Sequence, residues 1–488
     1  MVVTFVPLSH LLARALVFYT SAAVLVIEIL AVRLLAPYLG VSLEVFTGVI
    51  GVILAGISLG AWLGGRSADR VEPRRLLGPL LVAGGLSALA SPLIVDVVGP
   101  ALSTDPASIV VAATLGFLAP AAVLTAVTPV VVKIQLRSLA ETGSIVGSYS
   151  AIGTAGAIFG TFVTGFVLIA AFPTRPIVVA LGVSLTVFGL ALWVGTARWH
   201  TTASAVTLLG LAAILLLSEG PCHYETAYHC AIIETDDTRP SGRVLFLDRL
   251  PNSYVDLEDP TYLEFRYIQL MADIIEVEAP DEALRVVSIG GGGFTLPGYV
   301  EATTPDSHNI VLEIDGALVD IGRQHLALTE EIEVVVDDAR ISLRDVPADS
   351  VDVVIGDAFS GASVPWHLTT REFVEDIRDV LTATGIYTMN VIDYGRLDFA
   401  RSAAATLTEV FDHVALFAPP SYLSGQAGGN FVLVASVSPL DVPGVETAVR
   451  SRGSSELGIE GAELERFIGD AILLTDDHAP VDQIVGKP

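Results

Sequence analysis

The sequence predicts a molecule in two parts: an α-helical bundle of about seven membrane spans over residues 1–218, followed by a water-soluble α/β domain. Three observations carry this expectation. Of 488 residues, 52% are hydrophobic and only 16% are charged, too apolar for an ordinary soluble chain. The charge is divided unevenly: residues 1–218 hold 10 Lys and Arg against 7 Asp and Glu, whereas the rest hold 16 against 47. In the second part, β-branched runs alternate with helical stretches, the pattern of a parallel sheet with crossover helices.

Apolar stretches recur at 10–36, 45–65, 76–98, 107–132, 144–172, 176–196 and 203–218. Several reach the ~20 residues that cross a bilayer; the last is the shortest. Small residues abound in "SYSAIGTAGAIFGTFVTGF" (148–166), where they let helices approach closely. The first stretch is long and others follow it, so it reads as a span rather than a cleaved signal. Arg66, Arg70, Arg74 and Arg75 follow span two, Lys133 and Arg137 follow span four, and Arg198 follows span six. Basic loops stay cytoplasmic, which puts the N-terminus inside. Seven spans of a multi-pass protein of the cell membrane then leave the acidic part outside; if the short last stretch does not cross, that part lies inside. Glu28 and Arg33 lie in or near the first span, where charges face the bundle interior; being five positions apart, they do not share a helix face. A structural role for them is favoured over a transport path. Cys222 and Cys230 are close enough to pair without being required to.

Residues 219–278 read as a linker and a small β subdomain. "RVLFLD" (243–248) and "SYVDL" (253–257) are strand-like, and 260–275 reads as a helix. Residues 279–488 hold the main sheet: strands at 284–290, 309–315, 332–340, 351–360, 385–393 and 430–436. Glycines and acids gather at the carboxyl ends of these strands, the edge where open α/β sheets bind ligands. Gly290, Gly291, Gly292 and Gly293 follow the first strand, where bare backbone can meet a ligand. Glu313 or Asp315, ending the second, suits ribose hydroxyls; Asp338, ending the third, suits an adenine amino group; Asp357 ends the fourth. Taken singly, the glycines could form only a turn and the acids only helix caps. As a set they point to an adenosyl-nucleoside site. The acidity argues against nucleic acid and suits a cationic ligand. With only two lysines, it fits either a high-salt habitat or an acidic protein of a GC-rich genome. "LTDDHAPVDQ" (474–483) is rich in metal-ligand types, but adjacent residues rarely converge on one ion, so a turn is expected and no metal. His367, beside Trp366, is either a pocket residue or a loop histidine.

From about 243 to 436 the chain resembles spermidine synthase, the polyamine aminopropyltransferase family, in its membrane-fused branch. The resemblance rests on "LDRLPNSYVDLEDPTYLEF" (247–265), "SIGGGGFTL" (288–296), "LEID" (312–315), "DDAR" (337–340), "GDAF" (356–359), "SYLSGQAG" (421–428) and, in the first span, "EILAVRLLAPYLG" (28–40). It implies a Rossmann-like, S-adenosylmethionine-methyltransferase-like fold with a small β N-terminal subdomain. It implies decarboxylated S-adenosylmethionine as co-substrate and a small amine such as putrescine as acceptor. Asp357 falls on the catalytic aspartate. Gly290, Gly291, Gly292, Asn252, Glu313, Asp338 and Ala339 fall on the cofactor-binding positions. Tyr262, Ser360 and Tyr422 fall on the amine pocket. The lipid bilayer and a second copy of the chain are the other expected partners. Three positions depart from the family: Gly293 and Ser360 stand where it has amine-holding aspartates, and Asn252 where it has a glutamine. The implied reaction starts from an amine of pKa roughly 10, mostly protonated at neutral pH; Asp357 would take its proton. The alternatives are another S-adenosylmethionine-dependent transferase, or a membrane protein that binds a ligand or serves transport without turnover.

Overall fold

The computed structural model describes residues 8–103, 105–136, 138–193, 198–217, 220–279, 283–359, 361 and 363–486. The chain divides into two compact units, Met1–Cys230 and Ala231–Pro488.

Among the described residues, six helices of the first unit are long and apolar enough to cross a membrane: α1 (His10–Leu39), α2 (Leu43–Arg70), α3 (Arg74–Ala101), α4 (Pro106–Gln135), α5 (Leu139–Ala171) and α6 (Thr174–Trp193). The seventh expected span falls in α7 (Arg198–Leu217), whose apolar stretch, Ala205–Leu215, is shorter. Small residues set the packing distance. A Cβ on Gly60 of α2 would lie 2.1 Å from the Ala122 carbonyl oxygen of α4, and one on Gly156 of α5 would lie 2.2 Å from that of Phe18 in α1. Only glycine permits such contact, and in lipid close contact replaces the hydrophobic drive.

Polar bonds tie the helix ends together. At one end, Lys133 of α4 meets Asp69 of α2 at 2.7 Å, and the Gln135 amide donates to the Leu8 carbonyl at 3.2 Å. At the other, Arg175 of α6 meets Asp96 of α3 at 2.6 Å, and the Tyr38 hydroxyl of α1 donates to Asp96 at 3.1 Å. Arg33 does not pair with Glu28. Its guanidinium meets the Glu225 carboxylate at 3.1 Å, the carbonyls of Thr226 and Ala227 at 2.5 and 2.6 Å, and the Thr174 hydroxyl at 3.2 Å. Cys222 and Cys230 form a disulfide across this segment.

The second unit opens with a small antiparallel sheet: β1 (Cys230–Thr235), β2 (Gly242–Leu247) and β3 (Leu250–Asp256). The next helix, α8, spans Arg266–Glu278. It starts later than 260 because the carboxylates of Asp256 and Asp259 accept the backbone N–H groups of Glu258, Asp259 and Thr261, drawing that stretch into turns. The large sheet contains β4 (Arg285–Ile289), β5 (His308–Glu313), β6 (Glu333–Val336), β7 (Val351–Gly356), β8 (Leu381–Asp393), β9 (His413–Ala418), β10 (Gly429–Ser436) and β11 (Leu457–Glu460), in the order β11-β9-β10-β8-β7-β4-β5-β6. Strands β4 to β8 pair in parallel, and β9, β10 and β11 run antiparallel to their neighbours. The order turns back between β4 and β7, the switch point where doubly wound sheets open a crevice. Helices cover both faces. Val287, Val354, Phe373, Tyr387 and Phe399 pack on one side, and Met271, Val286, Val353 and Val434 on the other. Burial on both faces explains why these strands read as continuous apolar runs.

Candidate active site

The carboxyl ends of β4 and β7 meet at backbone level. The Asp357 N–H donates to the Ile289 carbonyl at 3.0 Å, and the Gly290 N–H to that of Leu312 at 2.9 Å. Gly290 adopts φ 90°, and a Cβ there would lie 2.9 Å from Ala358 Cα and the Asp357 carbonyl, so glycine is required twice over. The loop then bends through Phe294, a non-glycine residue at φ 59°, into the helix α9 (Thr295–Thr303). Its buried ring is wedged beneath Gly291 and Gly322.

A hollow opens at this point, lined by Asn252, Ser253, Gly290, Gly291, Gly292, Thr295 and Asp357 among others. The small sheet supplies one wall. Ser253 Oγ accepts the Gly293 N–H at 2.8 Å, and a Cβ on Gly293 would lie 2.6 Å from that of Ser253. No carboxylate fits at position 293 while Ser253 occupies this space.

Asp357 keeps some exposed surface, but its carboxyl is enclosed. Burial pushes its pKa up to about 7, against the pull of hydrogen bonds from Asn390 and Tyr267. Asn390 Nδ2 donates to Oδ1 at 2.9 Å and the Tyr267 hydroxyl to Oδ2 at 3.3 Å. Asn390 is itself held from behind, its side-chain oxygen accepting from Asn430 at 3.0 Å. Burial and the neighbouring Asp357 raise the Tyr267 pKa well above the ordinary phenol value, so it remains a donor. Neither Tyr267 nor Asn390 was among the expected site residues. Their signals were faint: a tyrosine within a helical pattern, and one amide inside the apolar run of β8.

Glu313 is buried at the end of β5. It accepts the Gly291 N–H at 2.7 Å and the Asp315 N–H at 2.9 Å, and so braces the glycine loop. Asp315 takes the capping role, accepting from Ala317 N–H at the start of α10 (Gly316–His325). Asp338 lies further along the same sheet edge, outside the lining of the hollow. It caps the short helix α11 (Ala339–Ser342) through the N–H groups of Arg340 and Ile341, and its second oxygen lies 3.0 Å from His367 Nε2. Ala339 is buried beside it. Asn252 lines the hollow, its side-chain oxygen accepting from Ser253 at 2.7 Å.

The expected amine pocket is not gathered in the same way. The Tyr262 hydroxyl donates to Glu264 at 2.5 Å, and its ring lies 3.7 Å beneath the Arg239 guanidinium. Tyr422 packs 5.8 Å from Phe431. Neither lines the hollow, and Ser360 lies outside the described residues. Among the described residues, no group of three or more His, Cys, Asp or Glu side chains is arranged to hold a metal ion.

No protein-family model matches the chain. Over 192 residues it is 27% identical to the polyamine aminopropyltransferase of Vibrio vulnificus, a match covering 38% of this chain and 60% of that protein. Over 141 residues it is 26% identical to the polyamine aminopropyltransferase of Chromobacterium violaceum, covering 28% and 53% respectively. The chain therefore spans somewhat over half the length of these curated relatives. The crystal structure of a probable spermidine synthase from Corynebacterium glutamicum is similar with a TM-score of 0.50 and 28% identity, covering 53% of this chain and 97% of that one. The chain is thus similar in sequence to polyamine aminopropyltransferases over 28–38% of its length, and over about half of it to a probable spermidine synthase in fold, and these likenesses support a transferase.

Proposed function

We propose that this chain is a membrane-bound aminopropyltransferase that uses decarboxylated S-adenosylmethionine and a small amine. The observation that carries the proposal is Asp357, a carboxylate held by two donors at the floor of a glycine-walled hollow, with its pKa raised to about 7. A base poised near neutral pH can take a proton from an ammonium group and still return it. The Asn390 amide and Tyr267 hydroxyl fix its orientation. The freed amine then attacks the carbon next to the sulfonium; the carbon–sulfur bond breaks and methylthioadenosine leaves. Holding the reactants in line would supply much of the rate.

The purified protein, incubated with decarboxylated S-adenosylmethionine and putrescine, is expected to release methylthioadenosine. Asp357→Asn should lose most of this activity, about a hundredfold or more, while still binding the nucleoside. Turnover near the wild-type level in that variant would remove Asp357 from the mechanism.

A second proposal, another S-adenosylmethionine-dependent transferase, is favoured by one observation: Ser253 fills the space in which an amine-holding carboxylate would stand at position 293. An array of methyl and aminopropyl acceptors, each followed by mass of product, separates the two.

We further propose that the acidic unit lies outside the cell membrane, which requires its adenosyl co-substrate, made in the cytoplasm, to be carried out to it. Thr174 at the start of α6, Arg33 near the end of α1 and Glu225 beyond α7 meet at one end of the bundle. A chain that starts α6 at that end and returns to it after α7 has crossed an even number of times, so α7 would span despite its short apolar stretch. The Cys222–Cys230 disulfide suits that side.

A further inference from the structure

The acidic turn of the C-terminal segment plays no part in the chemistry above, yet it is bonded toward the site. Its first carboxylate, Asp476, grips Arg340 in a fork: Nη1 to Oδ1 and Nη2 to Oδ2, both at 2.7 Å. Such paired, charge-assisted bonds fix direction as well as distance. Oδ1 also accepts the hydroxyl of the fully buried Thr370 at 2.8 Å. From this anchor two links lead to Asp338. The Arg340 backbone N–H donates to Asp338 Oδ1 at 2.9 Å. The Arg340 guanidinium donates to the His367 carbonyl at 3.1 Å, and the His367 ring meets Asp338 Oδ2 at 3.0 Å.

A carboxylate offers about four acceptor positions. The N–H groups of Arg340 and Ile341 use Oδ1, and His367 uses one position on Oδ2. Among the described residues one position on Oδ2 remains, and the side chain is 27% exposed. Without Asp476, the freed guanidinium would be drawn toward Asp376 and Glu372, the other acids that act on it, and away from the His367 carbonyl that it now holds.

We propose that Asp476, acting through Arg340, is a positioning residue for base recognition: it keeps the Asp338 carboxylate and the His367 ring oriented so that the remaining acceptor position of Asp338 faces the exocyclic amino group of a bound adenine. The proposal rests on the adenosyl-nucleoside site proposed above.

The test is calorimetric titration of the full-length protein with methylthioadenosine and with its hypoxanthine counterpart, which carries a carbonyl in place of the amino group. The wild type is expected to prefer the adenine nucleoside. Asp476→Asn should cut that preference about tenfold by weakening the adenine nucleoside alone. Arg340→Lys, which keeps the charge but cannot form the fork, should do the same and serves if the first variant folds poorly. A loss that strikes both nucleosides equally, or an unchanged preference, overturns the proposal and leaves Asp476 as a fastening for the tail. A wild type that binds neither nucleoside removes the site itself, a result distinct from the other two.

Discussion

At the scale of single residues, Asp357 carries opposed consequences for activity and stability. Its pKa is raised in the folded protein to about 7, whereas an unfolded aspartate titrates near 3.9. The folded state therefore holds the proton more tightly. Above about pH 7 the carboxylate is charged in both states, and its burial counts fully against folding; below about pH 4 it is protonated in both, and the penalty is gone. Asp357→Asn is expected to melt higher than the wild type at pH 8 and close to it at pH 4, as scanning calorimetry would read. Turnover should move the other way, falling as pH drops through about 7 because the base form is lost. Tyr267→Phe removes a donor to the charged form, so the acid limb of its pH–rate profile should move up, by about one unit at most. An unmoved limb would mean that Tyr267 does not act on Asp357. These partners were hidden in the sequence for a physical reason. Tyr267 and Asn390 stand 90 and 33 positions from Asp357, and only the packing of α8 on the sheet and the strand order bring them together.

At the scale of elements, the parallel strands were legible because both their faces are buried, which writes them as unbroken β-branched runs. The glycines and acids at their ends were legible because strand-end chemistry recurs in chain order. Strands β9 and β11 were not foreseen: one is a six-residue run ending at Ala418, just before Pro419, and the other a four-residue edge containing Gly458, residue types that weaken a strand pattern. The late start of α8 was masked by Asx turns. The glycine loop is the element most exposed to a single change. Gly290→Ala should both strain the left-handed backbone, at ~1–2 kcal/mol, and collide with Asp357 and Ala358. Nucleoside affinity is expected to fall by tenfold or more with the rest of the sheet intact, measurable by titration beside circular dichroism. Binding at the wild-type level would mean that the loop does not cradle the ligand.

At the scale of the whole molecule, composition separates an apolar part from one with 47 acids against 16 bases, which cannot serve a bilayer interior, and the structure divides the chain into two compact units. It could not fix the fate of the seventh helix, because hydropathy there is marginal and the contacts among Arg33, Thr174 and Glu225 that bear on it arise only in the fold. If the acidic unit is outside, a membrane-impermeant reductant followed by an impermeant maleimide should label Cys222 and Cys230 in intact cells. Labelling only after the cells are opened would reverse the orientation. The same contacts bear on biogenesis. Arg33 leaves the ribosome early, yet the carbonyls and carboxylate that satisfy it belong to residues 225–227, nearly two hundred codons downstream. Until those arrive, a guanidinium sits in the nascent bundle without its final acceptors. Truncation before residue 225 should therefore leave an assembly intermediate open to quality-control proteolysis.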